Sequence, residues 1–103
     1  MTIAVRRQEQ VEILILDRPG QENKLNIPCM TQLVRALRAA EADPSCRVVI
    51  LTAKGPYFCN GGELGDFRRK SPLAIRDFGK AFIDLHTTIV TLTKPVIAAV
   101  QGN

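Results

Sequence analysis

The chain has 103 residues, 46% of them hydrophobic and 23% charged, the proportions of a folded domain. These values exclude a disordered tail, a collagen-like chain and a low-complexity linker. The net charge of +4 is spread thinly, its densest run being Arg68, Arg69 and Lys70, which argues against a nucleic-acid binder and its stronger basic clustering.

Aromatic residues are few and Trp is absent, so the core must be aliphatic. A chain this short buries only about 60–65% of its unfolded surface, which makes its stability alone marginal. Cys29, Cys46 and Cys59 are odd in number and widely spaced, with no CxxC pair. They suit neither a zinc ribbon or other metal site nor a secreted disulfide framework. No signal-peptide pattern and no run of about 20 apolar residues is present. The expectation is a soluble, cytoplasmic chain with no membrane partner.

Two strands are predicted first, Thr2 to Arg7 and Val11 to Asp17, with Gln8, Glu9 and Gln10 turning between them. Arg18, Pro19 and Gly20 break the second. Asn26 caps a helix whose apolar face is Ile27, Met30, Leu33, Val34 and Leu37, leaving Gln32, Arg35, Arg38 and Glu41 for water. Pro28 is tolerated in its first turn, and Asp43 and Pro44 end it. Val48 to Leu51 is an unbroken apolar run, as is Val96 to Val100. Such runs suit strands of a parallel sheet covered on both faces. Between them a second helix is predicted from about Pro72 to Thr93, with Ile75, Phe78, Phe82, Leu85, Ile89 and Leu92 inward. Pro95 forces extended backbone before the last run. The order is that of an α/β domain. The chain stops at Gln101, Gly102 and Asn103, just after a strand that should be central, so it reads as incomplete.

The chemistry-bearing stretch is the loop from Thr52 to Gly65, which follows an apolar strand and holds Gly55, Gly61, Gly62 and Gly65. Glycines after a strand make a tight turn, or present bare N–H groups to an anion or a polarised carbonyl. The spacing is neither a Walker loop nor a dinucleotide fingerprint.

Four segments, in order, resemble the crotonase superfamily, also called the enoyl-CoA hydratase/isomerase family. They are Leu16–Asp17–Arg18–Pro19 with Asn23–Lys24–Leu25–Asn26; Arg47 to Thr52; Phe58–Cys59–Asn60–Gly61–Gly62–Glu63–Leu64; and Lys94–Pro95–Val96–Ile97–Ala98–Ala99–Val100–Gln101–Gly102. Together they cover nearly the whole chain. The resemblance implies the N-terminal portion of a crotonase-like ββα superhelix over residues 1–103. It implies action on acyl-CoA or acyl-carrier-protein thioesters, with no cofactor besides the CoA of the substrate. Two backbone N–H groups would form an oxyanion hole that polarises the thioester carbonyl and stabilises an enolate. Carried onto this sequence, Gly62 gives the first N–H. The carbonyl of Asn60 stands where the family contacts adenine, and Gly61, Glu63, Leu64, Lys24 and Leu25 line the substrate. The family's second donor and its acid/base glutamates would follow beyond Asn103. Full-length members assemble as trimers or hexamers.

Departures from the family pattern are Glu63 for Asp, Asn60 for Ala, Lys24 for a small residue and Ala53 for Gly. They bear on the substrate and subfamily. Glu63 is the nearest carboxylate, but its family counterpart is structural. His86 is expected on the helix surface and Cys59 is not expected to act as a nucleophile. The leading reading is an enzyme segment whose default reaction is hydration or isomerisation of an enoyl thioester, inactive alone. The alternatives are a non-catalytic binding or interaction protein of the same fold and, more weakly, RNA binding through basic surface.

Overall fold

A hairpin opens the fold. In the computed structural model, which describes residues 2–65 and 67–103, β1 (Ile3–Gln8) and β2 (Val11–Leu16) pair antiparallel from Ile3↔Leu16 to Gln8↔Val11. Gln8 therefore belongs to the strand and not to the turn. Glu9 and Gln10 alone reverse the chain, with Glu9 at φ 55°.

α1 (Ile27–Ala42) begins where expected. The Asn26 side chain accepts the Cys29 N–H at 2.9 Å, and Pro28 sits in the first turn, where no N–H is needed. Its buried face is Cys29, Met30, Leu33, Leu37 and Ala40. This face is rotated from the expected one. Ile27 points off it by about a quarter turn and is 38% exposed, and Val34 is only partly buried. Cutting Leu33 or Leu37 to Ala would cost about 2–5 kcal/mol.

β3 (Val48–Ala53) lies parallel to β2, and β4 (Val96–Ala98) lies parallel to β3 beyond α2 (Pro72–Thr91). The sheet order is β1-β2-β3-β4. The strand order advances in one direction from β2 to β4, and right-handed crossovers then put both helices on the same face. The core follows from this. Ile3, Leu14, Leu16 and Val49 of the sheet meet Met30, Leu33 and Leu37 of α1 and Leu85 of α2.

Two expectations need correction. The parallel strands are not covered on both faces among the described residues: Ile13 and Ile50 are half-buried, and Ile97 is 53% exposed. The last strand is also shorter than Val96 to Val100, and Val100 is 60% exposed. Along α2, Leu85 and Thr88 are buried, and Phe78, Ile89 and Leu92 pack against the core. Ile75 and Phe82, expected inward, are 37% and 38% exposed, because at about 100° per residue they fall to one side of the stripe centred on Leu85 and Thr88. α2 is capped by Ser71, whose hydroxyl accepts the Ala74 N–H at 3.1 Å.

The far end of α1 is fastened to the link between α2 and β4. Lys94 Nζ donates to the carbonyls of Ala40 and Asp43 at 2.8 and 2.6 Å, and Glu41 accepts the Thr93 N–H at 2.8 Å. A cation on the carbonyls at a helix C-terminus is favourable both as a hydrogen bond and against the helix dipole, here beside the backbone N–H groups of Asp43 and Cys46 that the same two carbonyls accept. No helix among the described residues is long and apolar enough to cross a membrane.

Candidate active site

Three loops meet at the C-terminal ends of the parallel strands, the usual place for a site in an α/β sheet. They follow β2, β3 and β4.

The loop after β2 makes a short 3-10 turn over Pro19–Gln21 and then places Glu22 and Asn23 in left-handed backbone, at φ 56° and 53°. Asn is among the residues that tolerate this conformation best. Asn23 is 1% exposed and fully bonded. Its Oδ1 accepts the Arg18 N–H at 2.7 Å, and its Nδ2 donates to the carbonyls of Lys54 and Tyr57 at 2.8 and 2.7 Å. One buried amide thus ties the loop after β2 to the loop after β3.

The loop after β3 carries the glycines. Gly61 has φ 85°, which an L side chain adopts only under strain. Gly62 stands opposite Leu25 in an isolated parallel bridge. Leu25 N–H donates to the Gly61 carbonyl at 2.9 Å, and Glu63 N–H donates to the Leu25 carbonyl at 2.8 Å. In this pairing the N–H and C=O of the central residue point away from the partner strand. The Gly62 N–H is therefore directed away from Leu25, and it has no hydrogen-bond partner among the described residues. Phe78 of α2 fills the space a side chain would need: a Cβ on Gly62 would lie 2.8 Å from the ring. Packing against Phe78 favours glycine here, and the bridge is what leaves its N–H free for chemistry.

The expected substrate residues gather around this point. Leu25 is buried beneath it. Lys24 Nζ pairs with Glu22 at 3.5 Å, and Glu22 also accepts from Asn60 Nδ2 at 3.1 Å. Lys24, Gly62, Glu63 and Leu64 share the wall of one cavity with Gly20 to Glu22. Gly62 and Leu64 also line an apolar cavity of about 290 Å³ with Phe78, Gly79 and Phe82. Asn60 and Gly61 are exposed at the rim. The Glu63 carboxylate is engaged by Arg18, whose Nη2 lies 3.2 Å from both oxygens. Arg18 Nη1 donates to the Lys24 carbonyl at 2.5 Å.

The loop after β4 closes the site from the third side. Gln101 Nε2 donates to the carbonyls of Ala53 and Gly55 at 2.7 and 3.2 Å, and Cys59 N–H donates to the Asn103 carbonyl at 3.0 Å. Gly102, at φ 62°, passes so close to Pro56 that no Cβ could fit.

A family model described as enoyl-CoA hydratase/isomerase matches residues 6–103. The chain belongs to the enoyl-CoA hydratase/isomerase family. It is 34% identical over 100 residues to the 2,3-dehydroadipyl-CoA hydratase of Escherichia coli, covering 97% of this chain and 38% of that protein. It is 37% identical over 101 residues to the enoyl-CoA hydratase EchA19 of Mycobacterium tuberculosis, covering 95% of this chain and 38% of that one. Among solved structures, an enoyl-CoA hydratase from Polaromonas sp. JS666 superposes with a TM-score of 0.90 at 35% identity, covering 97% of this chain and 40% of that structure. The fold is thus crotonase-like, and the chain spans about two fifths of the length of these relatives.

This enoyl-CoA hydratase/isomerase family chain also uses residues the sequence reading did not single out. Arg18, Glu22, Asn23 and Phe78 hold or shape the Gly62 loop. Arg18 and Asn23 gave a signal as members of a motif whose contacts could not be read, Phe78 as part of the apolar stripe of α2, and Glu22 none. His86 stays on the surface of α2, its Nδ1 2.8 Å from the Phe82 carbonyl oxygen and its ring against Phe82. Cys59 is half-buried, its Sγ 3.8 Å from the Gly61 carbonyl oxygen. Burial pushes the thiol of Cys29 up from its ordinary value.

Proposed function

We propose that the chain supplies one half of a carbonyl clamp for acyl-CoA or acyl-carrier-protein thioesters, with the Gly62 N–H as the donor. The observation that carries this reading is the Leu25–Gly62 bridge, which leaves that N–H directed outward and unpaired among the described residues. The family membership makes an acyl thioester the class of ligand to expect.

The default reaction is hydration of an enoyl thioester. The oxygen of water bonds to the β-carbon as one of its protons passes to the acid/base carboxylates of the complete domain, the C=C electrons shift toward the carbonyl, and the carbonyl oxygen takes up enolate charge. The Gly62 N–H stabilises that charge, and the enolate collapses by taking a proton at the α-carbon. The sum is addition of one water. Isomerisation uses the same enolate, with proton loss at one carbon and gain at another. A preaimed donor of this kind contributes about 3–4 kcal/mol to the transition state. No cofactor beyond the CoA of the substrate is needed.

In this reading Asn60 offers its carbonyl to the adenine, and Gly61, Lys24, Leu25, Glu63 and Leu64 form the walls. Glu63 is the shaping partner of Arg18 and not the base. The second donor and the acid/base carboxylates belong to the part of the family domain outside residues 1–103. The chain by itself therefore binds without turning over, and the complete domain assembles as a trimer or hexamer.

The test compares crotonyl-CoA with free CoA, which lacks the carbonyl. The chain should bind the thioester more tightly and leave its enoyl absorbance unchanged, while a protein extended to full family length should consume it. Equal affinity for the two would contradict the clamp. Turnover by neither form would favour a non-catalytic interaction protein.

A further inference from the structure

Arg18 stands at the end of β2, 45 positions from Glu63, and its side chain is only 14% exposed. Its guanidinium makes two contacts that have nothing to do with each other in sequence. Nη1 donates to the Lys24 carbonyl at 2.5 Å, and Nη2 reaches both oxygens of Glu63 at 3.2 Å. Lys24 is the residue before Leu25, and Glu63 is the residue after Gly62. The guanidinium therefore reaches diagonally across the parallel Leu25–Gly62 bridge, from the residue before Leu25 on one segment to the residue after Gly62 on the other. The backbone of Arg18 is itself held, because its N–H donates to the buried Asn23 side chain at 2.7 Å.

The bridge itself has two backbone hydrogen bonds, the same segments share one more from the Asn60 N–H to the Glu22 carbonyl at 3.1 Å, and beyond Glu63 no ladder continues to hold the register. Each such bond contributes little net stability in water-accessible surroundings. A charge-assisted fork in a shielded position is stronger and directional. Without it, Gly61 to Glu63 can swing about the left-handed Gly61, and the direction of the Gly62 N–H swings with them. A donor acts on a developing oxyanion only if it is aimed beforehand.

We propose that Arg18 is a positioning residue for the Gly62 donor: by clamping the Lys24 carbonyl to the Glu63 carboxylate, it fixes the register of the Leu25–Gly62 bridge and so the aim of the N–H. The inference rests on the thioester reading above. It also explains why Glu63, one methylene longer than the expected Asp, is accommodated: its carboxylate is placed to meet a guanidinium 45 residues away.

The test uses Arg18→Gln, Arg18→Lys and Glu63→Gln with two readouts. The first is affinity for crotonyl-CoA against free CoA. Arg18→Gln should lower thioester affinity about tenfold, the scale of a misplaced contact group, and leave affinity for free CoA unchanged. A merely structural role would lower both together. Arg18→Lys keeps the charge but cannot fork, so it should recover part of the preference. Glu63→Gln should lose the preference with Arg18 still present, which guards against an Arg18 variant that fails to fold. The second readout is amide exchange at Leu25 and Glu63, which should quicken about tenfold in Arg18→Gln while Leu14 in β2 is unaffected.

A variant that keeps the full thioester preference, or one whose β2 amides are exposed along with Leu25 and Glu63, overturns the proposal. A parent chain with no preference for the thioester refutes the functional reading instead, and the exchange rates then judge the clamp on their own.

Discussion

The side-chain amide of Asn23 donates to the carbonyl of Tyr57 at 2.7 Å, across 34 positions of sequence. The same nitrogen donates to Lys54, and the oxygen accepts from Arg18. Removing the amide leaves a buried N–H and two carbonyls without partners. Asn23→Ala should destabilise the chain by about 2–4 kcal/mol. Asn23→Gly, which has no difficulty with φ 53°, should recover only the small backbone part of that loss. Urea unfolding of the three proteins decides it. A Gly variant as stable as the parent would show that the loop is held by its backbone conformation alone.

Gly62 and Phe78 make the second linkage. A methyl group on Gly62 would meet the ring at 2.8 and 3.3 Å, so either the ring or the loop must move. Gly62→Ala should cost about 1–3 kcal/mol by overpacking. Adding Phe78→Leu should recover most of it by opening room. A single substitution without cost would mean that the ring yields freely and that glycine at 62 is not demanded by packing.

The three thiols should react in a fixed order. Cys29 and Cys46 are each 2% exposed, and burial holds the Cys29 thiol protonated at neutral pH. Cys59 is half-buried. Iodoacetamide should label Cys59 first and reach the other two only through unfolding. Equal rates at Cys29 and Cys59 in the native protein would contradict the packing of α1.

The α1 terminus predicts the acid response. The Thr93 N–H and the Arg38 guanidinium hold the Glu41 carboxyl below its ordinary range. The Ser45 hydroxyl and N–H do the same for Asp43. Carboxylates with lowered folded values add stability above their unfolded values, here the ordinary 4.5 and 3.8, and lose it as pH falls through the lower folded ones. The urea midpoint should therefore drop between pH 5 and pH 2.5, and Glu41→Gln with Asp43→Asn should flatten the drop. A midpoint that is level or rising toward acid would be inconsistent with these contacts.

Much of the scaffold was legible because local chemistry and periodicity agree there. Asn26 and Pro28 mark the start of α1, and the hairpin, the parallel strands and α2 follow from patterning. Periodicity counts apolar positions but does not say which of two adjacent stripes faces inward. Ile27, Ile75 and Phe82 lie beside the inward stripes for that reason, and Cys29 and Ala40 lie on the inward stripe of α1. An apolar run likewise cannot show whether both faces are covered, and Ile97 is open. At the site, the glycine loop could be picked out, and the family resemblance pointed to Gly62. The contacts that hold it could not be seen. Arg18 to Glu63, Asn23 to Tyr57 and Gly62 to Phe78 join residues 45, 34 and 16 apart, and no local spacing encodes such pairs.

The most direct test of the account is to follow the Gly62 amide by nitrogen–proton resonance while crotonyl-CoA is added to the labelled chain. A donor that takes up a thioester carbonyl should move its proton downfield with the thioester and not with free CoA, while the Leu25 and Glu63 amides, already bonded within the bridge, stay nearly fixed. A Gly62 resonance that is unmoved by saturating thioester, or moved equally by free CoA, would contradict the assignment of its N–H as the oxyanion donor.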